Sequence, residues 1–139
     1  MIDQILRSLQ EAAQGLGSAV GTNTKERTMQ LIEDWLKIFP KLEIYGLRIT
    51  SFGLSLALSP GLDVELVGNH DDWSRERIDK LLEENKRQAA MITVLTAIKT
   101  AYNLHRRIYA TQYDPLIIKV RIRLSPEVKV VIGKPVLEN

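Results

Sequence analysis

The chain contains no cysteine. Disulfides, thiolate metal sites and thiol nucleophiles are therefore excluded. It has no apolar run of the roughly 18 residues that a membrane span requires, and the N-terminus lacks a basic stretch followed by an apolar core, so it does not read as a secretory signal. A cytoplasmic protein without a membrane span is the expectation. Histidine occurs twice and aromatic residues make up 6% of the chain. The phosphate-binding G-x-x-x-x-G-K-[ST], the dinucleotide-binding G-x-G-x-x-G, the hydrolase G-x-S-x-G and the zinc-binding H-E-x-x-H are all missing. Glu83 and Glu84 are adjacent on a helical stretch and point apart, so they do not form a convergent carboxylate pair. No cofactor is implied and an enzyme is not the expected reading, although one assembled from scattered residues is a third alternative.

What is present fits one small globular domain. The 139 residues are enough for a core without metal or disulfide staples, and 45% hydrophobic with 26% charged residues is ordinary for such a domain. A formal net charge of +2 does not argue for nucleic acid.

Three parts are expected: an amphipathic N-terminal helix with its linker (residues 1–22), an α+β domain (23–134) and a tail (135–139). In residues 1–16, Ile2, Ile5, Leu6, Leu9, Ala12, Ala13 and Leu16 fall at helical spacing on one face. Gly15, Gly17 and Gly21 then loosen the chain. A second helix starts near Asn23, which forms a capping-box pattern with Glu26, and it runs to a stop at Pro40.

Two hairpins are expected. Residues 42–49 read as a strand and residues 52–58 as another, or as its continuation past a bulge at residues 51–53. A Ser59–Pro60–Gly61 turn leads into residues 62–67, where Leu62, Val64 and Leu66 alternate with Asp63 and Glu65. Residues 116–124 alternate Leu116, Ile118, Val120, Ile122 and Leu124 with Lys119, Arg121 and Arg123, and Ser125–Pro126 turns the chain into residues 128–132. LALSPGLDVELVG (56–68) resembles IRLSPEVKVVIG (122–133) with one deletion, so the chain also reads as an αββ unit used twice. Opposite charges on adjacent strands attract. The acidic face of the first hairpin should therefore lie beside the basic face of the second, in a four-stranded antiparallel sheet covered by helices on its other face.

Between the hairpins, residues 71–108 contain neither glycine nor proline and read as one long helix, about 55 Å at 1.5 Å per residue, either continuous or kinked near Asn85. Its run AAMITVLTAI (89–98) is apolar nearly all round, which implies burial on more than one side. A helix longer than the domain, with a leashed amphipathic arm, points to a self-associating structural or adaptor module. Ile5, Leu9, Met91, Leu95 and Ile98 are its expected interface, in a homo-oligomer or with a protein partner bound through the N-terminal helix.

The alternative is a binder of a small apolar or amphipathic ligand, haem-like in the extreme case. Tyr102, His105, Arg106 and Tyr109 lie within two helical turns, with Arg107 and Tyr113 close in sequence, and could anchor a polar head. Basic residues at a helix C-terminus also simply complement its dipole. Similarly, His70, Asp71 and Asp72 read as residues capping a helix start rather than as metal ligands. The basic stripe of Lys119, Arg121 and Arg123 has no interleaved aromatic for base stacking, so nucleic acid is not expected.

Overall fold

Period-two alternation becomes a two-sided sheet, and a computed structural model describes it for residues 23–56 and 59–134. The elements run α1 (Asn23–Leu36), α2 (Phe39–Ile44), β1 (Arg48–Ser55), β2 (Gly61–Gly68), a 3-10 turn (His70–Asp72), α3 (Arg75–Glu84), α4 (Ala89–Arg107), β3 (Leu116–Ile122) and β4 (Pro126–Ile132). This is an α+β fold. The four strands form one sheet in the order β1-β2-β3-β4, every pair antiparallel. The hairpins are adjacent, as the charge pattern requires: Asp63 faces Arg121 and Glu65 faces Lys119 across the central pair.

The other side of the same strands makes the core. Leu62, Val64 and Leu66 of β2 and Leu116, Ile118, Val120 and Ile122 of β3 are buried there. From α1, Met29, Ile32 and Leu36 join them at spacings of three and four. α1 lies over β2 and β3, whereas α4 lies over β4 and beside α3. Burial of one such aliphatic side chain stabilises the fold by roughly 1.5–3 kcal/mol before its entropy cost.

Two expectations about elements are corrected. Residues 42–44 belong to α2, and the first strand begins at Arg48. Pro40 does not merely stop α1; it occupies the first turn of α2, where its missing N–H is harmless. Gly46 then turns the chain at φ +109°, which a side chain would resist. β1 itself continues through Phe52 with an irregularity between Ile49 and Ser51.

The long helix of residues 71–108 is not continuous. α3 ends at Glu84 and α4 starts at Ala89, with Asn85 and an extended Gln88 between them. The break needs neither glycine nor proline. Asn85 is buried, and its amide Nδ2 donates to the Leu81 carbonyl at 2.8 Å and to Tyr45 Oη at 3.1 Å, while Lys41 Nζ donates to its Oδ1 at 3.2 Å. The asparagine thus caps the helix twice at one carbonyl, since Leu81 O also accepts from Asn85 N at 3.0 Å, and the chain folds back to put α3 beside α4. At the start of α3 the capping group is Ser74, whose Oγ accepts from Arg77 N at 3.2 Å, whereas Asp71 and Asp72 sit in the preceding turn.

Candidate functional site

β2 ends at Gly68 against Leu47: a Cβ there would come within 2.8 Å of Leu47 Cδ2. The chain then enters the His70–Asp72 turn, which brings His70 to the C-terminal half of α4. The His70 side chain is only 7% exposed. Its Nε2 lies 2.7 Å from the Tyr113 carbonyl and its Nδ1 lies 2.7 Å from Tyr102 Oη. A carbonyl oxygen can only accept, so Nε2 carries a proton; in the neutral ring Nδ1 is then the acceptor and the Tyr102 hydroxyl donates to it. The two rings meet edge to face at 5.6 Å. Burial, with a smaller contribution from the Asp114 carboxylate, pushes the Tyr102 phenol well above its ordinary pKa. Tyr102 therefore holds its proton and serves as a fixed donor, not as a base.

Beside this pair is a recess of about 200 Å³ between the turn, the first residues of α3 and the last two turns of α4. Among the described residues its charged lining consists of Arg75, Lys99 and Arg106, with no carboxylate. Lys99 is neutralised from outside the recess by Asp79, at 2.6 Å. Arg106 donates to the neutral Asn103 Oδ1, and Arg75 has no ion pair among the described residues. Trp73 forms part of the wall and carries Arg77 5.2 Å above its ring. Its indole Nε1 is buried without a hydrogen-bond partner among the described residues.

Of the residues expected to bind a ligand, Tyr102 and Arg106 reach this recess. His105 and Tyr109 do not line it. His105 is half-buried, and Tyr109 is 94% exposed at positive φ. Tyr113 contributes only its carbonyl, to His70. The histidine that matters for this geometry is His70, which sequence reasoning assigned to capping. Its position at the end of an alternating strand, one turn before a helix, was the available signal. Arg75, Lys99 and Asn103 carried none, because charged residues on an amphipathic helix usually face solvent.

A second surface follows α4. Its face toward the core buries Met91, Val94, Leu95 and Ile98 completely. Met91, Leu95 and Ile98 therefore pack inside their own chain and offer no surface to another, which corrects the expected interface. Ile5 and Leu9 lie outside the described residues. The neighbouring face of α4, with Ile92, Thr96, Ala97 and Leu104, forms an open groove of about 630 Å³ with Val128 and Val130 of β4. Leu104 is 53% exposed there.

The third surface is the helix-free side of the sheet. Asp63 accepts from Arg121 Nε at 3.0 Å and from Arg123 Nη2 at 2.8 Å. Lys119 and Lys129 stand opposite each other on β3 and β4. By register, this side carries no aromatic side chain among the described residues, so the stacking platform of single-strand binders is missing there. Among the described residues no group of three or more His, Asp or Glu is placed to hold a metal ion, and no helix is long and apolar enough to cross a membrane. Comparison with protein-family models, with curated proteins and with solved structures found no match to this chain.

Proposed function

We propose that the protein is a self-associating, non-enzymatic interaction module, and that a second copy of the chain covers the α4–β4 groove. The observation that carries this reading is the continuity of an apolar groove with a strand edge, β4, that no further strand pairs among the described residues. Gly133 N donates to the Pro115 carbonyl at 2.8 Å, and the β3–β4 ladder continues from there without a shift. In an antiparallel ladder hydrogen-bonded and non-hydrogen-bonded pairs alternate. Val128, Val130 and Ile132 therefore direct their backbone N–H and C=O groups away from β3, toward the outer edge of the sheet. Pro126, which has no N–H to offer, occupies the same series, as an edge strand allows.

A second copy related by a two-fold axis meets both needs together: its β4 pairs with this edge and its α4 closes the groove, an isologous contact that ends in a dimer. The charge pattern selects a register. With Val128 facing its own counterpart, Glu127 of each copy stands opposite Lys129 of the other. Within one chain neither residue has an ion pair among the described residues. Centring the pair on Lys129 would instead place two lysines together, which is unfavourable. The amphipathic residues 1–16, with Ile5 and Leu9, lie outside the described residues; on this reading they add to the contact or serve a further protein partner.

Native mass spectrometry of the full chain tests the reading. A dimer is expected, Thr96→Arg in the groove should reduce it to a monomer, and Lys129→Glu should weaken it. The charge exchange Glu127→Lys with Lys129→Glu should restore the dimer. A monomer at high concentration would overturn the reading. A dimer that survives Thr96→Arg but dissolves on deletion of residues 1–20 would assign association to the N-terminal segment instead. A monomer carrying a fixed extra mass would favour the alternative, a binder of a small apolar or amphipathic ligand.

A further inference from the structure

We infer that the recess between the His70 turn and the C-terminal half of α4 is a binding site for a small oxyanion of the phosphoryl class, independent of any self-association through the groove.

Size limits the ligand first. About 200 Å³ is less than the roughly 300–1,000 Å³ of pockets for drug-sized molecules. A phosphoryl group with a short substituent fits such a space; a nucleotide or a haem does not.

Charge then fixes the sign. Among the described residues, three cations and no carboxylate line the recess. Lys99 has its counter-ion in Asp79, which leaves Arg75 and Arg106 as two guanidinium groups without a carboxylate partner among the described residues. Each guanidinium has five donors, and among the described residues the Arg106 side chain bonds only to Asn103, so donors remain on both arginines there. Two like charges converging on one cavity repel, and an oxyanion between them converts that repulsion into charge-assisted hydrogen bonds. Guanidinium forks match phosphoryl oxygens better than a lysine point charge would. The Asp114 carboxylate lies 3.9 Å from His70 Nε2 and is not in the lining.

Rigidity completes the site. Its back wall is the buried His70–Tyr102 pair, locked at both imidazole nitrogens, with Trp73 and Ile78 beside it. The two arginines come from different elements, Arg75 from the first turn of α3 and Arg106 from the last turn of α4. Ligand binding would thus tie together the two helices that the Asn85 break separates.

Amide chemical-shift titration with inorganic phosphate tests the inference, with sodium chloride at matched ionic strength as the control. Saturable shifts are expected at Arg75, Lys99, Tyr102, Asn103 and Arg106 with phosphate and not with chloride. The double variant Arg75→Gln with Arg106→Gln should weaken binding tenfold or more while leaving the remaining amide spectrum in place, since both side chains are exposed. Glycerol phosphate distinguishes the sources of the phosphoryl group: tighter binding than inorganic phosphate assigns the recess to a monoester, and equal affinity assigns it to the phosphoryl group alone. Shifts that rise linearly without saturation, or an unchanged affinity in the double variant, would overturn the proposal.

Discussion

The Tyr102 hydroxyl donates to His70 Nδ1 at 2.7 Å, joining α4 to the turn that leaves β2 across 32 residues of chain. Because the other imidazole nitrogen is committed to the Tyr113 carbonyl, removing the phenol oxygen leaves a buried acceptor unpaired. Tyr102→Phe is expected to cost about 1–3 kcal/mol of unfolding free energy, measured by urea denaturation near neutral pH. An unchanged midpoint would mean that water replaces the hydroxyl.

The same phenol sets an alkaline limit. Its pKa is raised in the folded state by burial first and by Asp114 second. Above the unfolded value of about 10 the unfolded chain releases this proton while the folded chain keeps it. The unfolded state then binds fewer protons, so stability falls as pH rises, by at most about 1.4 kcal/mol per pH unit from this one group. A melting-temperature series between about pH 8 and pH 11 should show that decline, and Tyr102→Phe should flatten it.

On the helix-free side of the sheet, Asp63 has the opposite sign. The Arg123 hydrogen bond lowers its pKa most, burial opposes this, and Arg121 adds to the lowering. Its contribution is present above the unfolded carboxylate value and is lost as pH falls through the lower folded value. The side chain is 46% exposed, so solvent screening keeps the effect below about 1 kcal/mol. Asp63→Asn should therefore destabilise slightly at neutral pH, and the difference from the parent should vanish in acid and shrink in about 1 M salt. A difference that persists in both would point to packing instead of charge.

Asn85 holds the break between α3 and α4. Asn85→Ala removes the donor to Leu81 and Tyr45 and the acceptor for Lys41, at an expected cost of about 1–3 kcal/mol. Tyr45→Phe shares one of these bonds. The double variant should accordingly lose less than the sum of the two single losses, which a double-mutant cycle in urea would measure. Strict additivity would show that the Tyr45 contact carries no energy.

The two faces of α4 should respond differently. Leu95→Ala and Ile98→Ala empty fully buried positions and should each cost about 2–5 kcal/mol. Thr96→Arg, one position from Leu95 but exposed in the groove, should change the stability of the single chain by no more than about 0.5 kcal/mol. Thermal melts of the dilute protein separate these effects from any change in assembly.

How much of this was legible varies from element to element, for physical reasons. The alternation of β2 and β3 reports which side of a strand is buried, and the charges of Asp63, Arg121 and Arg123 report which strands are neighbours, so the four-stranded sheet and its one-sided helical cover could be read directly. The helix–strand boundary at residues 42–49 could not, because a short apolar run suits either state until Pro40 and Gly46 are placed. The break in residues 71–108 was hidden for a different reason. It is made by a buried side chain whose partners, Lys41 and Tyr45, are some 40 residues away. Likewise, the periodicity of α4 identified Met91, Leu95 and Ile98 as an apolar seam but not what the seam meets; the chain folding back on itself made it core. By itself, then, the sequence determined the fold class, the pairing of the hairpins and the lack of thiol chemistry, since local period and charge encode these. Only the tertiary structure decided where the helix breaks, that His70 rather than His105 meets Tyr102, and that Arg75 and Arg106 face one recess, because each depends on contacts between elements that are distant in the chain.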